Sequence, residues 1–388
     1  MNNIRKLTDS LFWVGVNDRR IALFENVYPV PTGMSYNSYV LLDEKTALFD
    51  TVDASFTHDF LENVTAALKG RTLDYLIVNH MEPDHCASIA DVIAVYPEAK
   101  IVCTAKAVGM MKQFFDFDVD SRAIPVKEGD TISLGSHELT FVMAPMVHWP
   151  EVMVTYEKTE KILFSADGFG KFGALDADEP WENEARRYFI NIVGKYGVQV
   201  QNLLKKAATL DIQMICPLHG PILKENLGYY IGKYLTWSSY EPEEKGVVIA
   251  CASIHGNTMI AAKKLAEILK AKGEKNVVLY DLARDDMPSA IADAYRYDRL
   301  VVAAASYDGG IFPCMETFLR KLKAKNFQKR TVGYIQNGTW APCTAKQMQA
   351  IMGELKNITN AEPVVTIKSA MKEADVAQLE ALADALMA

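Results

Sequence analysis

The chain has 388 residues, 49% of them hydrophobic, which suits two domains with a sizeable core each better than one domain. Its formal net charge of −8 and pI near 5.5 argue against a nucleic-acid-binding protein, and no basic stretch supports one. The N-terminal segment lacks an apolar signal core, and no apolar run approaches membrane-spanning length, so we expect a cytoplasmic protein.

The six cysteines are scattered and form no Cys-x-x-Cys pair. This favours buried thiols in a reducing compartment over disulfides, an iron–sulfur cluster or a rubredoxin-type iron site. Cys86 follows a group of potential metal ligands, but we interpret it as a small core residue.

The N-terminal part is predicted to contain paired strands followed by a helix. Residues 11–14 form an apolar strand, and residues 37–42 and 46–50 form a hairpin. Residues 57–69 have helical spacing and are followed by Gly70, a common helix stop.

An apolar run at 76–78 predicts a buried strand, and four potential metal ligands follow it within six residues. These are His80, Glu82, Asp84 and His85. Pro83 lies inside this group, so we expect the ligands to lie on an irregular loop rather than on a helix. The spacing suits two metal ions better than one. The simpler interpretation is a solvated polar turn.

Helical and strand-like patterns alternate after this loop. The predicted elements are helices over 89–96, 108–115 and much of 180–210, strands over 100–103, 152–156, 162–166 and 214–216, and an alternating stretch over 131–142. Three further potential ligands, His148, Asp167 and His219, each follow an apolar run and precede Gly or Pro. Two mixed sheets with outer helices would bring all these loops to one edge.

The seven candidates comprise four imidazoles and three carboxylates, without a thiolate. Such a set suits iron or manganese well and zinc acceptably. We therefore favour a dinuclear metal site over a polar turn.

A polar, charged segment at 238–246 separates this part from a regular alternation of strands and helices, so we place the domains at 1–240 and 246–388. The predicted elements are strands over 247–252, 277–280, 300–304, 332–335 and 364–367, and helices over 259–271, 315–322 and 373–387. Five strands with intervening helices predict a parallel, doubly wound sheet.

The first strand–helix junction of this domain could hold a phosphate through backbone N–H groups, hydroxyl groups and the positive end of a helix. Its residues are Ser253, Ile254, His255, Gly256, Asn257 and Thr258. It contains no Lys, which excludes the nucleoside triphosphate loop. An ordinary helix N-cap is the simpler interpretation.

Two more loops follow the third and fourth strands, whose carboxyl ends would border the same crevice. They contain Ser306, Tyr307, Asp308, Gly309 and Gly310, and then Asn337, Gly338, Thr339 and Trp340. The glycines permit close backbone approach, and either aromatic side chain could cover a flat ring.

The string His-x-Glu-x-Asp-His resembles the metallo-β-lactamase signature His-x-His-x-Asp-His, with Glu82 where zinc hydrolases usually carry a second His. That replacement is typical of the flavodiiron proteins, whose spacing to the three downstream ligands is also similar, and this resemblance covers essentially the whole chain. The 253–258 loop is similar to the flavodoxin phosphate loop Ser/Thr-x-x-Gly-x-Thr. The two later loops depart from the family sequences Pro-Thr-Tyr-Asn-Asn-Gly and Ser-Tyr-Gly-Trp-Ser-Gly.

The resemblance implies an α/β and α+β protein: an αββα metallo-β-lactamase-like sandwich followed by a doubly wound, parallel, five-stranded flavodoxin-like domain. It implies FMN in the second domain and two non-haem irons in the first. One iron would be held by His80, Glu82 and His148, the other by Asp84, His85 and His219, with Asp167 as the bridge.

The resemblance also implies reduction of dioxygen to water or of nitric oxide to nitrous oxide. Electrons would come from a separate donor, a rubredoxin or a reduced deazaflavin, and the family forms head-to-tail homodimers or dimers of dimers. The alternatives are a zinc-dependent hydrolase of the same fold and an electron-transfer flavoprotein with a structural metal.

Overall fold

The computed structural model describes residues 3–388, which divide into two compact units. The first comprises the described residues up to Phe189 together with Val198–Leu235, and the second comprises Ile190–Gly197 together with Thr236–Ala388. The sequence-based boundaries remain a proposal, and the structure groups the short segment Ile190–Gly197 with the C-terminal unit. Within the described range, no helix has the length and apolar character needed to cross a membrane.

The first unit contains many short strands. In chain order they are β1 (Arg5–Lys6), β2 (Leu11–Trp13), β3 (Val16–Asp18), β4 (Leu23–Phe24), β5 (Tyr28–Pro29), β6 (Met34–Tyr36), β7 (Tyr39–Leu42), β8 (Thr46–Phe49), β9 (Tyr75–Ile77), β10 (Lys100–Thr104), β11 (Ala123–Val126), β12 (Thr131–Ser133), β13 (Glu138–Met143), β14 (Met153–Glu157), β15 (Ile162–Phe164) and β16 (Met214–Cys216). The helices that lie wholly or mainly in this unit are α1 (Thr57–Leu68), α2 (Pro83–Cys86), α3 (Ile89–Val95), α4 (Ala105–Phe114), α5 (Trp181–Tyr188), α6 (Gly197–Ala207) and α7 (Leu227–Ser238).

Two mixed sheets pack face to face in this unit. One has the order β1-β2-β7-β8-β9-β10-β11 and the other the order β12-β13-β14-β15-β16. Phe49 of the first sheet stacks on Phe164 of the second with ring centroids 3.7 Å apart, and both are buried. Helix α1 packs on β7, and α4 packs on β10 and β11. The predicted αββα sandwich is therefore confirmed.

The strand ends deliver the potential ligands. His80, Asp167 and His219 each stand three residues after the last residue of β9, β15 and β16, respectively. Because β15 and β16 are parallel neighbours with Phe164 opposite Cys216, Asp167 and His219 follow their strands at the same level of the sheet. His148 lies in the connection between β13 and β14.

The second unit alternates strands and helices. Its strands are β17 (Glu244–Ala252), β18 (Val277–Asp281), β19 (Tyr297–Tyr307), β20 (Gly310–Ile311), β21 (Arg330–Asn337), β22 (Ile358–Asn360) and β23 (Val365–Ile367). Its helices are α8 (Asn257–Ala271), α9 (Met287–Arg296), α10 (Pro313–Ala324), α11 (Thr344–Met352) and α12 (Glu373–Met387).

The main sheet of this unit has the parallel order β18-β17-β19-β21-β22. This is the flavodoxin-like order 2-1-3-4-5, and it confirms the predicted doubly wound fold. The fifth strand is split, because β22 and β23 both pair with β21 at successive positions along it. The short β20 is antiparallel to the end of β19.

Two predicted stretches are broken in the structure. The helical pattern over 180–210 becomes α5, a π-helical turn over Phe189–Val193, a 3-10 turn over Gly194–Tyr196, and α6. Gly197 begins α6 where a Cβ would collide with the carbonyl oxygen of Ser238. The alternating stretch 131–142 is two strands, β12 and β13, because Gly135 turns the chain with φ of 126°.

Candidate functional site

Asp50 organises the backbone that enters the ligand segment. It directly follows β8, is fully buried, and accepts hydrogen bonds from the Asn79 backbone N–H and amide at 2.7 Å each. The His80 N–H donates to the same carboxylate at 3.1 Å. Burial raises the pKa of Asp50 to about 6 although these hydrogen bonds act in the opposite direction. The Asp50 side chain thus fixes the position at which the first ligand leaves the sheet.

The prediction that all four of these ligands lie on an irregular loop is wrong for two of them. Asp84 and His85 lie on the short helix α2, which has Glu82 at its N-cap and Pro83 in its first turn. Proline is tolerated there because the first N–H groups of a helix have no partner inside the helix. The helix turns Asp84 and His85 away from Glu82 and so separates one set of ligands from the other.

All seven candidate ligands lie at one edge of the sandwich and form two groups. Within each group, the donor atoms all lie within 4.8 Å of one another. The first group is His80, Glu82, His148 and Asp167, and the second is Asp84, His85 and His219. In the first, His148 Nε2 lies 3.1 Å from both Glu82 Oε2 and Asp167 Oδ2. In the second, His219 Nε2 lies 3.0 Å from His85 Nε2.

Asp167 stands between the two groups. Its Oδ2 lies 3.3 Å from His80 Nε2, while its Oδ1 lies 3.4 Å from His85 Nε2 and 3.7 Å from His219 Nε2. One carboxylate therefore presents one oxygen to each group. This is the placement that a bridging ligand between two metal ions requires.

The charges within the cluster are strongly coupled. Burial disfavours charged imidazoles, but Asp84 and Asp167 outweigh it and raise the pKa of His85 to about 10. The pKa of His148 rises to about 9 against its burial, chiefly because the Asp167 carboxylate lies 3.1 Å from its Nε2. Conversely, burial opposes ionisation of Asp84 and Asp167, yet the neighbouring histidines hold the pKa of both carboxyls below its usual range. The pocket is therefore built around negative charge.

The donor set fits two cations. Both oxygens of Asp84 and of Asp167 are buried without a hydrogen bond, and buried charge is expensive unless it is paired or coordinates a metal. The nitrogen and oxygen donors, with no thiolate among them, suit iron or manganese. The Cys86 thiol is not part of the set, because it donates to the Met81 carbonyl oxygen at 3.1 Å and burial raises its pKa to about 12.

Hydrogen bonds outside the cluster orient two imidazoles. His80 Nδ1 donates to Glu151 Oε1 at 2.9 Å, and the same oxygen accepts from the Met81 N–H at 2.9 Å. His219 Nδ1 donates to the Ser35 carbonyl oxygen at 2.7 Å. Since these acceptors hold the protons on Nδ1, each Nε2 keeps its lone pair for the cluster. The sequence analysis missed Glu151, whose only signal was a carboxylate three residues after His148.

Aromatic rings and one further carboxyl surround the cluster. Phe24, Tyr36 and Tyr188 contact the His219 ring with centroid distances of 5.4, 5.9 and 5.5 Å. Next to Phe24, Glu25 occupies an exposed position of the β4–β5 turn, where partial removal of its carboxyl from water and then the charge of Glu82 raise the pKa to about 7. Nothing in the sequence around Glu25 had indicated this position.

The second candidate site is a crevice of about 710 Å³ at the carboxyl ends of the strands of the second unit, a volume typical of cofactor pockets. Most of the predicted residues line it: Ser253, Ile254, His255, Asn257, Thr258, Ser306, Tyr307, Asp308, Gly309, Asn337, Gly338, Thr339 and Trp340. The predicted Gly256 and Gly310 do not. Four further lining residues are Ala305, Ala341, Cys343 and Ser369.

The missed residue Ser369 follows β23 as the predicted loops follow the other strands. Its N–H donates to Asn337 Oδ1 at 3.1 Å, and its carbonyl oxygen accepts from Asn337 Nδ2 at 2.9 Å. This pair of hydrogen bonds ties two walls of the crevice together.

The end of the crevice formed by residues 253–258 lies at the start of helix α8. Helix α8 begins at Asn257, two residues earlier than predicted, with Gly256 at its N-cap and φ of 90°. The Gly256 N–H donates to Ser253 Oγ at 3.0 Å, and Thr258 is buried at the start of the helix. The first N–H groups of α8 are thus directed at a position suited to an anion. Tyr307 and Trp340, 43% and 92% exposed, are both free to cover a ring.

Comparisons with known proteins identify relatives along most of the chain. The family model described as "ODP family beta lactamase" matches residues 34–220. The chain is 27% identical to an anaerobic nitric oxide reductase flavorubredoxin of Aeromonas hydrophila, over 88% of this chain and 71% of that protein.

Among solved structures, the rubredoxin oxygen:oxidoreductase of Desulfovibrio gigas superposes with a TM-score of 0.92 and 27% identity, over 99% of this chain and 98% of that one. The flavodiiron protein of Giardia intestinalis gives a TM-score of 0.92 at 24% identity, over 99% and 96%, and supports the fold. The chain therefore has the same fold as these two proteins along essentially its whole length, and it is similar in sequence to the Desulfovibrio oxidoreductase.

Proposed function

We propose that this chain is an oxidoreductase that reduces dioxygen to water, nitric oxide to nitrous oxide, or both, at a non-haem diiron site supplied with electrons by FMN. The observation that carries the proposal is the position of Asp167, whose two oxygens face separate groups of nitrogen and oxygen donors. The names of the Aeromonas and Desulfovibrio relatives, a nitric oxide reductase and an oxygen oxidoreductase, support the same chemistry.

In this proposal His80, Glu82 and His148 hold one iron, Asp84, His85 and His219 hold the other, and Asp167 bridges them. When bound, the two irons supply the electrons and the open coordination positions for the gas, and FMN relays electrons to them. Glu151 keeps the proton of His80 on Nδ1, and the Ser35 carbonyl does the same for His219. The rings of Phe24, Tyr36 and Tyr188 reduce access of water to the second group.

FMN would occupy the crevice of the second unit. Its phosphate would meet the N-terminus of α8 with Ser253 and Thr258, and its ring would lie against the loops that contain Tyr307 and Trp340. No lysine or arginine in the described part of the chain lines the crevice, so phosphate binding would rest on N–H groups and hydroxyls.

The rival functions explain less of the molecule. A zinc hydrolase needs one open metal site and no flavin crevice, and an electron-transfer flavoprotein needs no carboxylate shared between two ligand groups. We further propose a rubredoxin or a reduced deazaflavin as donor, and a reducing cytoplasmic environment, since all six cysteines are free thiols and four of them are buried. A head-to-tail homodimer, or a dimer of such dimers, completes the proposal.

Metal analysis combined with a flavin spectrum tests this proposal. Protein made under iron-replete conditions should contain about two irons per chain and one FMN, and should consume oxygen or nitric oxide when its flavin is kept reduced. A zinc-loaded protein that hydrolyses a thioester or lactam efficiently, while the iron form consumes neither gas, would refute it.

A further inference from the structure

A small internal cavity lies in the first unit, between the second sheet and helix α6. It measures about 30 Å³, roughly twice the 10–15 Å³ that a single water molecule requires. Val154 and Leu163 line it from the sheet, and Val200 and Leu204 line it from α6. All four of these side chains are buried. The cavity can therefore hold a molecule slightly larger than water.

The wall of the cavity offers almost nothing to which water could bind. Its two hydroxyl groups are already engaged, because Ser165 donates to the Gly168 carbonyl oxygen at 2.7 Å and Tyr234 accepts from the Phe169 N–H at 2.6 Å. The other lining side chains are apolar. Apolar cavities of this kind stay dry and take up apolar molecules such as xenon, because a water molecule inside would lack hydrogen-bond partners.

The cavity also adjoins the candidate metal centre. Val147, Gly168 and Phe169 line it, and they stand within two residues of His148 or Asp167. The same two loops therefore form one wall of the cavity and supply two ligands of the first group. A molecule held in the cavity therefore lies next to the loops that carry these two ligands.

We propose that this cavity is a binding site for a neutral diatomic gas, from which the substrate reaches the metal centre. The inference rests on the proposed function for the identity of the gas, but the existence of the site rests on the size, dryness and position of the cavity alone. Dioxygen and nitric oxide are both small and weakly polar, so they prefer an apolar cavity to bulk water.

Xenon tests the binding site independently of catalysis. Crystals of the holoprotein pressurised with xenon should show a xenon atom among Leu204, Val154 and Phe169. Absence of xenon from this position in the intact holoprotein would overturn the proposal, whether or not the enzyme reduces a gas. If xenon binds but neither gas is consumed, the proposed function fails and the cavity remains an apolar binding site.

A matched pair of variants connects the cavity to turnover. Ala207→Phe, on the last residue of α6, places a ring into the cavity, whereas Ala208→Phe places the same ring at an exposed position outside it. Ala207→Phe should abolish xenon binding and raise the KM for the gas several-fold, with kcat at saturating gas unchanged. Ala208→Phe should alter neither quantity. Loss of xenon binding with an unchanged KM would exclude the cavity from the route of the substrate.

A second variant covers the case in which Ala207→Phe does not fold. Leu204→Ala removes side-chain atoms from the wall and enlarges the cavity. It should bind more xenon than the natural protein at equal pressure and should not raise the KM. Equal or weaker xenon binding in a folded Leu204→Ala protein would contradict the proposal.

Discussion

Asp167 presents one carboxylate oxygen to each of the two ligand groups. Its two buried oxygens lie 3.3 Å from His80 and 3.4 Å from His85, on either side of one side chain. Two cations held this close would repel each other strongly without an anion between them. The bridging carboxylate is therefore expected to contribute more to metal retention than a ligand of one ion.

Asp167→Ala tests this role. The variant should lose most of its iron and its gas reduction, while the flavin spectrum stays intact because the crevice belongs to the other unit. Metal analysis and absorbance of the same sample measure both. Asp178→Ala, at an exposed position after the same loop, should keep both cofactors. Full iron content in Asp167→Ala would show that the carboxylate is not a bridge.

Substitution of Glu151 tests whether the orientation of the His80 imidazole contributes to metal affinity. Glu151→Gln keeps the size of the side chain but removes the carboxylate that holds the Nδ1 proton of His80. We expect metal affinity to fall roughly 10–100-fold, measured by competition with a chelator. Exposed Glu98→Gln is the control. Unchanged metal affinity in Glu151→Gln would show that Glu151 contributes to packing but not to metal binding.

The residues of the candidate metal centre differ in how readily the sequence reveals them. His80, Asp167 and His219 could be found because each follows an apolar strand by three residues. Glu151 and Glu25 could not, because their importance depends on contacts with residues distant along the chain. Glu151 reaches His80 across 71 positions.

At the scale of elements, the N-terminus of α8 is a separate anion site that can be altered without touching the metals. Thr258→Val removes a buried hydroxyl from the first turn at nearly constant size. The Kd for FMN should rise by about tenfold, as measured by flavin fluorescence, with iron content unchanged. Thr359→Val, at an exposed position of β22, serves as the control. Loss of iron together with FMN would show that the two sites are not independent.

An ion pair between α5 and α7 predicts a pH-dependent stability. Burial opposes ionisation of Glu182, but hydrogen bonds from Lys233 at 2.6 Å and from Tyr229 outweigh it and lower the pKa of Glu182 to about 2. A depressed folded-state pKa stabilises the protein above the unfolded value of about 4.5, and this contribution disappears as the pH falls through about 2.

Glu182→Gln should therefore lower the free energy of unfolding at pH 7 by about 1–2 kcal/mol, after allowance for solvent screening. The difference from the natural protein should shrink between pH 4.5 and pH 2. Urea denaturation at several pH values measures it, with Glu98→Gln as the control. A difference that is constant with pH would point to lost packing instead.

Element types were easier to predict than element boundaries. The strands at 11–14 and 214–216 could be predicted because short apolar runs mark them, and the helix at 373–387 because Leu379, Leu382 and Leu386 recur at helical spacing. The short helix that contains Asp84 and His85 could not be predicted, because a proline such as Pro83 can either interrupt a helix or begin one. Helices α7, α9 and α11 were missed as well.

At the scale of the whole molecule, the two candidate sites belong to different compact units, and the proposed function requires them to exchange electrons. Each unit has its own core and its own set of strand ends, so neither fold dictates where the other site lies. A second copy of the chain is a physically simple solution, because a two-fold arrangement forms two identical contacts at once. The exposed indole of Trp340 is available for such a contact.

Complementation between two defective chains tests the head-to-tail dimer. Asp167→Ala chains keep FMN but lack the metal bridge, and Thr258→Val chains depleted of FMN keep the metals. Neither homodimer should reduce gas. After the two are mixed and allowed to exchange subunits, each heterodimer should contain one intact pair, formed by FMN of the first chain and the metals of the second. Turnover should then recover in proportion to the heterodimer present, up to half that of the natural dimer. Full turnover by a dilute monomer, with its mass confirmed by sedimentation, would exclude this arrangement, because electron transfer would then occur within one chain.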